Sequence, residues 1–106
     1  MFDRQMIFRG GSQRWCDSFG VSREAQMGRC HYDTFPNLPE RFKEAHRRGL
    51  NGETVSRDFE SYAEHSGKVR YSEWEVRPWI DDQGEIGGIL IFVLDFTQKV
   101  EAQQEL

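Results

Sequence analysis

Val69-Arg70-Tyr71-Ser72-Glu73-Trp74-Glu75-Val76-Arg77-Pro78-Trp79-Ile80, then Asp81-Asp82-Gln83-Gly84, then Ile86 through Phe96, decides the fold. Two long runs rich in aromatic and β-branched residues, joined by a short Asp/Gly turn, predict an antiparallel hairpin. The second run holds an oddity. Ile89-Leu90-Ile91-Phe92-Val93-Leu94 is apolar at every position, whereas an antiparallel strand with one wet face alternates. Both faces of that strand need cover. One face can take a helix of this chain; the outer one, carrying Leu90, Phe92 and Leu94, calls for a second copy or a helix from outside the segment. The plainer reading is that long polar side chains on neighbouring strands shield it.

Upstream, Asn37 to Leu50 is the clearest helix. Phe42, Ala45, Gly49 and Leu50 recur at helical steps, with Arg41, Lys43, Glu44 and Arg47 outside the stripe. Asn37 and Glu40 resemble a capping box, Pro39 sits early, and Asn51-Gly52 stops the helix. After Gly52 the period shifts toward two: a strand over Glu53 to Tyr62, then a turn at His65-Ser66-Gly67-Lys68. Before the helix, Gln5 to Arg9 reads as a short strand with a bend at Gly10-Gly11. Trp15 to Phe19 and Ser22 to Met27 read as short helical pieces parted by Gly20, with Ser22 as an N-cap. The order predicts an α+β domain with helices on one face of an antiparallel sheet.

The chain has 106 residues, the size of one domain. Leu, Ile, Val and Phe number 24, enough for a core despite a mean hydropathy of −0.77. No apolar run approaches a membrane span, and Met1-Phe2-Asp3-Arg4 lacks a signal-peptide core, so a cytoplasmic setting is expected. Eighteen acids against fourteen bases give a net charge of −4, which disfavours nucleic acid as a direct partner. Cys16 and Cys30 form no metal-like spacing with His31, His46 or His65, so free thiols and no metal site are expected.

Trp74-Glu75-Val76-Arg77-Pro78-Trp79, the turn Asp81 to Gly88, and Asp95-Phe96-Thr97 together resemble the C-terminal half of a PAS domain. Phe96 stands where the closing triplet usually has Ile. Gly28 to Pro36 resembles the loop before the long helix, and Leu50-Asn51-Gly52-Glu53 its exit, so the resemblance runs from about Phe2 to Thr97. It implies a PAS-like α+β fold: a five-stranded antiparallel sheet, short helices on one face, a small interior pocket, and the start of a C-terminal helix. Residues 1–97 would form the sensory domain and 98–106 the start of an output or linker helix. The resemblance further implies a sensory module of a bacterial signalling protein, such as a histidine kinase or cyclic-dinucleotide enzyme, with a covalently attached output domain. A homodimer through the outer sheet face or a flanking helix is also implied.

No nucleophile–base arrangement, HExxH, GxSxG or glycine-rich phosphate loop is present, so a non-catalytic role is expected and a small α+β enzyme disfavoured. Glu73 and Glu75 share a strand face, but solvated or arginine-paired acids are the norm there. Trp15, Phe42, Leu50, Trp74, Val76 and Ile91 are candidates to line the interior, as a site for a small apolar or aromatic ligand or as a filled core. His46 lies at the edge of the helical stripe beside Arg47-Arg48. It reads as a half-exposed surface residue or, by the resemblance, as an axial ligand of haem in a gas sensor. Photosensory flavin chemistry needs a reactive-cysteine motif that neither Cys16 nor Cys30 matches. Asp95 and Thr97 are the candidate relay: Asp95 pairing with a strand arginine, and Thr97 capping the helix that follows. Val100 and Leu106, six apart, establish no heptad. The competing function is a constitutive dimerisation scaffold that senses nothing.

Overall fold

The hairpin forms where the alternation places it. In a computed structural model, which describes residues 1–63 and 66–104, strand β3 (Val69–Ile80) pairs antiparallel with β4 (Ile86–Asp95). The register runs from Ser72 opposite Asp95 to Ile80 opposite Ile86. Asp81 closes the turn: its carboxylate accepts the N–H groups of Gln83 and Glu85, both at 2.9 Å, and Gly84 supplies the left-handed residue at φ 79°. Strand β2 (Val55–Ala63) joins the far edge of β3 with a bulge between Arg57 and Glu60.

The sheet has four strands among the described residues, in the order β1-β4-β3-β2, not five. The expected strand at Gln5 to Arg9 is reduced to single bridges, Ile7 to Cys30 and Phe8 to Phe2, and the paired segment is β1 (Phe2–Asp3). The cause is local. The Asp3 carboxylate accepts the N–H groups of Gln5 (2.9 Å) and Ile7 (3.0 Å), folding the chain back and putting Met6 at φ 62°. Met6 and Phe8 still enter the core beside Phe2.

Four helices lie between β1 and β2 in the chain. These are α1 (Gln13–Phe19), α2 (Arg23–Gln26), α3 (His31–Thr34) and α4 (Glu40–Leu50). Ser12 caps α1 through Trp15 N–H, Gly20 ends it in the left-handed region, and Ser22 caps α2 through Ala25 N–H. The capping box expected for α4 does not form: Pro39 occupies the cap in extended geometry, and no side chain bonds the first turn. Asn51 ends α4 as expected.

Helix α4 lies against the inner face of β3 and β4, and Gly49 sets how closely. A Cβ there would meet Val76 Cγ1 at 2.8 Å and Ile89 Cγ2 at 2.9 Å. Around that contact Phe2, Phe8, Cys16, Ala45, Val55, Val76 and Ile89 form the buried core. Helix α5 (Thr97–Gln104) follows β4 directly and packs against β3. His65 of the expected turn and Leu106 of the helical tail lie outside the described residues.

Candidate functional site

Because α4 touches the sheet at Gly49, its other end stands clear, and a cavity of about 900 Å³ opens there between helices and sheet. The inner face of the hairpin supplies Ser72, Trp74, Val76, Ile91 and Val93; α4 supplies Phe42, Ala45 and His46. Trp15, Phe19, His31 and Phe35 close the remaining side. Of the residues expected in the interior, Trp15, Phe42, His46, Trp74, Val76 and Ile91 border this one cavity. Leu50 does not: it lies past Gly49, at the closed end of α4, and packs against the core.

His46 is not a half-exposed surface residue. It is 4% exposed, because its place one turn after Phe42 turns it inward. The Tyr32 hydroxyl and His46 Nδ1 share a hydrogen bond of 2.9 Å, and the ring of His31 stands edge-on to His46 at 5.4 Å. Burial, reinforced by His31 and Arg47, pushes the His46 pKa down to about 3; burial likewise lowers His31 to about 4. Both rings are neutral at physiological pH. Burial raises Tyr32 to about 12, so it remains a neutral phenol. His46 thus stands between Tyr32 and His31 while bordering the cavity.

Two buried polar atoms of residues that border the cavity stand out. The indole N–H groups of Trp15 and Trp74 are buried with no hydrogen-bond partner, whereas Trp79 Nε1 donates to the Phe2 carbonyl at 2.9 Å. His31, Tyr32 and Phe35 escaped the sequence reading, which took Gly28 to Pro36 as a loop. The aromatic pair at i, i+4, His31 and Phe35, with ring centroids 5.0 Å apart, was the available signal.

At the rim, Arg70 borders the cavity and donates to Asp95 Oδ2 from Nη2 (2.8 Å) and Nε (3.2 Å). Asp95 Oδ1 accepts the Thr97 N–H at 2.9 Å. Burial alone would raise the Asp95 pKa, but hydrogen bonds from Thr97 and Arg70 outweigh it and hold the carboxyl below its ordinary range. Thr97 does not cap its helix with its hydroxyl. It is the first residue of α5, and the hydroxyl accepts the Tyr71 N–H at 2.9 Å, fastening helix to sheet.

The opposite face of the sheet carries Leu90, Phe92 and Leu94, the last two 49% and 43% exposed. Phe59, carried by the strand that bulges between Arg57 and Glu60, joins Tyr71 and Phe96 at ring distances of 5.6 and 5.7 Å. Glu75 pairs with Arg77 at 2.7 Å, an arginine-paired strand acid. Among the described residues no cluster of three or more His, Cys, Asp or Glu could hold a metal, and no helix is long and apolar enough to cross a membrane.

No curated protein matches the chain, but solved structures do. VqmA of Vibrio cholerae, solved as a dimer, is 22% identical over 92% of this chain and 45% of its own, with a TM-score of 0.70. VqmA bound to DPO is 21% identical over 90% and 50%, also at 0.70. This chain thus spans about half the length of the VqmA chains it matches. A sensory box sensor histidine kinase from V. cholerae is 17% identical over 91% and 78% (TM-score 0.69), and the PAS domain of Bordetella pertussis BvgS is 19% identical over 98% and 77% (0.62). At these identities the likeness is one of fold. The sequence adds the rest: a family model described as the PAS fold matches residues 1–101, and the chain belongs to that family.

Proposed function

We propose that the domain is a non-catalytic sensory module that takes a small ligand in the inner cavity and passes its presence into α5. One observation carries this reading: Arg70 both borders the cavity and holds Asp95, and Asp95 holds the first N–H of α5. A ligand that favours one setting of Arg70 therefore shifts the balance between arrangements of that helix by its difference in affinity for them. In the full protein, α5 would lead into a covalently attached output domain, in a cytoplasmic signalling protein of the sensor-kinase or receptor type. VqmA, solved both as a dimer and with DPO, shows a ligand and a partner copy on a chain of this fold. A thermal-shift screen of neutral aromatic and apolar metabolites tests the reading. Hits should raise Tm by mass action, and the rise should vanish in Val93→Trp, which fills the cavity. A screen with no such hit would overturn it.

The exposed outer face favours one companion reading, association of two copies through Phe92 and Leu94. If the cavity proves filled and inert, this contact alone would make the domain a constitutive dimerisation scaffold. Native mass spectrometry separates the two: retained ligand mass supports sensing, and a bare dimer supports the scaffold.

A further inference from the structure

Arg70 borders the cavity, but its partner Asp95 does not. A molecule inside therefore reaches the guanidinium of that pair and not the carboxylate. Among the described residues that border the cavity, Arg70 is the one cation. His31 and His46 are neutral, and Asp17, the one acid, is exposed and accepts from the Gln13 amide at 2.8 Å. A bound group of single negative charge is matched at that end, whereas a cation would face the guanidinium. Ser72 stands two residues along the same face of β3, about 6.6 Å on. It is 4% exposed, and among the described residues its hydroxyl has no hydrogen-bond partner. Nor is that oxygen sealed in: the sealed, unpartnered side-chain atoms among the described residues are the Trp15 and Trp74 indole nitrogens. The Ser72 oxygen thus meets open space, and the cavity is the open space its residue borders. Native interiors rarely leave such a group unpaired, so a hydroxyl so placed is a donor waiting for an acceptor.

We infer that the cavity prefers a ring compound carrying one carboxylate, anchored between the Arg70 guanidinium and the Ser72 hydroxyl. This rests on the ligand-binding reading above and adds both the chemistry of the ligand and the event it causes. A carboxylate matches the planar fork of a guanidinium. It therefore competes with Asp95, which Arg70 now holds through Nε and Nη2. When the ligand takes Arg70, Asp95 is left with the Thr97 N–H at the start of α5 and without its cation. A neutral analogue of the same shape still fills the cavity but takes neither role, and is held more weakly.

The test uses 2-naphthoate and 2-naphthamide, which share their rings and shape and differ in charge at neutral pH. Isothermal titration calorimetry of the full chain should show 2-naphthoate bound at least about tenfold more tightly. Ser72→Ala should weaken 2-naphthoate about tenfold, and Arg70→Gln should bring the two probes within about threefold of each other. Val93→Trp, which fills the cavity, should abolish binding of both. If Arg70→Gln fails to fold, Ser72→Ala, which removes a single oxygen, still decides. Equal affinity for the two probes, or an unchanged 2-naphthoate affinity in Ser72→Ala, overturns the acid assignment and leaves the cavity a ligand site. Binding of 2-naphthoate that survives Val93→Trp overturns it as well, because the acid is then held elsewhere. Binding of neither probe overturns the acid assignment, and the ligand-binding reading falls with it only if the thermal-shift screen is also empty.

Discussion

Arg70 and Asp95 stand 2.8 Å apart at the mouth of the cavity, with side chains 23% and 16% exposed, joining the second residue of β3 to the last residue of β4. A pair so placed is more than surface decoration, because Asp95 also takes the leading N–H of α5. Asp95→Ala should destabilise the domain by about 1–3 kcal/mol, since a charge-assisted bond and a helix-start acceptor are lost together. A double-mutant cycle with Arg70→Ala should return a coupling of about 0.5–3 kcal/mol. Additive losses would show that the two side chains merely lie near each other. The depressed Asp95 pKa sets the sign with pH: its contribution is present above the unfolded value of about 3.9 and is lost as pH falls through the folded one.

The buried histidines give a dependence at higher pH. Their folded pKa values, about 4 for His31 and about 3 for His46, lie below the unfolded value of about 6.5. The unfolded chain therefore takes up protons first, and stability is complete above about pH 6.5 and falls as pH drops toward the folded values. The slope is at most about 1.4 kcal/mol per histidine per pH unit. Chemical denaturation between about pH 7.5 and 4.5 should show it, and His46→Gln, which keeps a hydrogen-bonding group for Tyr32, should roughly halve it. A flat profile would mean that water reaches these rings.

Gly49→Ala should cost about 1–3 kcal/mol, although alanine is the better helix former. The added methyl lands 2.8 Å from Val76 Cγ1 and 2.9 Å from Ile89 Cγ2, inside the core. Urea titration reads the loss as a lower midpoint at unchanged slope. A variant as stable as the parent would show that α4 can lift from the sheet at no cost.

On the outer face, Phe92→Glu with Leu94→Glu should weaken self-association at least about tenfold while leaving folding nearly unchanged, because both side chains are exposed in the single chain. Sedimentation equilibrium of the parent and variant makes the comparison. A parent that remains monomeric at high concentration would contradict pairing through this face.

How far the sequence carried depended on whether a feature is local. The β3–β4 hairpin and its Asp81 to Gly84 turn were legible because alternation and turn chemistry are written in consecutive residues, and the even greasiness of Ile89 to Leu94 marked a strand apolar on both faces. The Gln5 to Arg9 strand was misread because the Asp3 turn and the positive φ of Met6 override an apolar pattern with no local warning. His46 was legible as a position on α4, but not as a buried ring. Its burial depends on Tyr32 and His31, which arrive from a helix that starts nine residues before α4. The Asn37–Glu40 capping box failed for a local reason visible only in the backbone, since Pro39 takes the cap itself.

The most direct test of sensing is hydrogen–deuterium exchange of the α5 amides, Thr97 to Gln104, with and without a cavity ligand from the thermal-shift screen. Exchange across α5 should change on saturation, and the change should disappear in Asp95→Ala, which cuts the link between Arg70 and Thr97. Identical α5 exchange in the free and saturated chain, with the cavity demonstrably occupied, would contradict it.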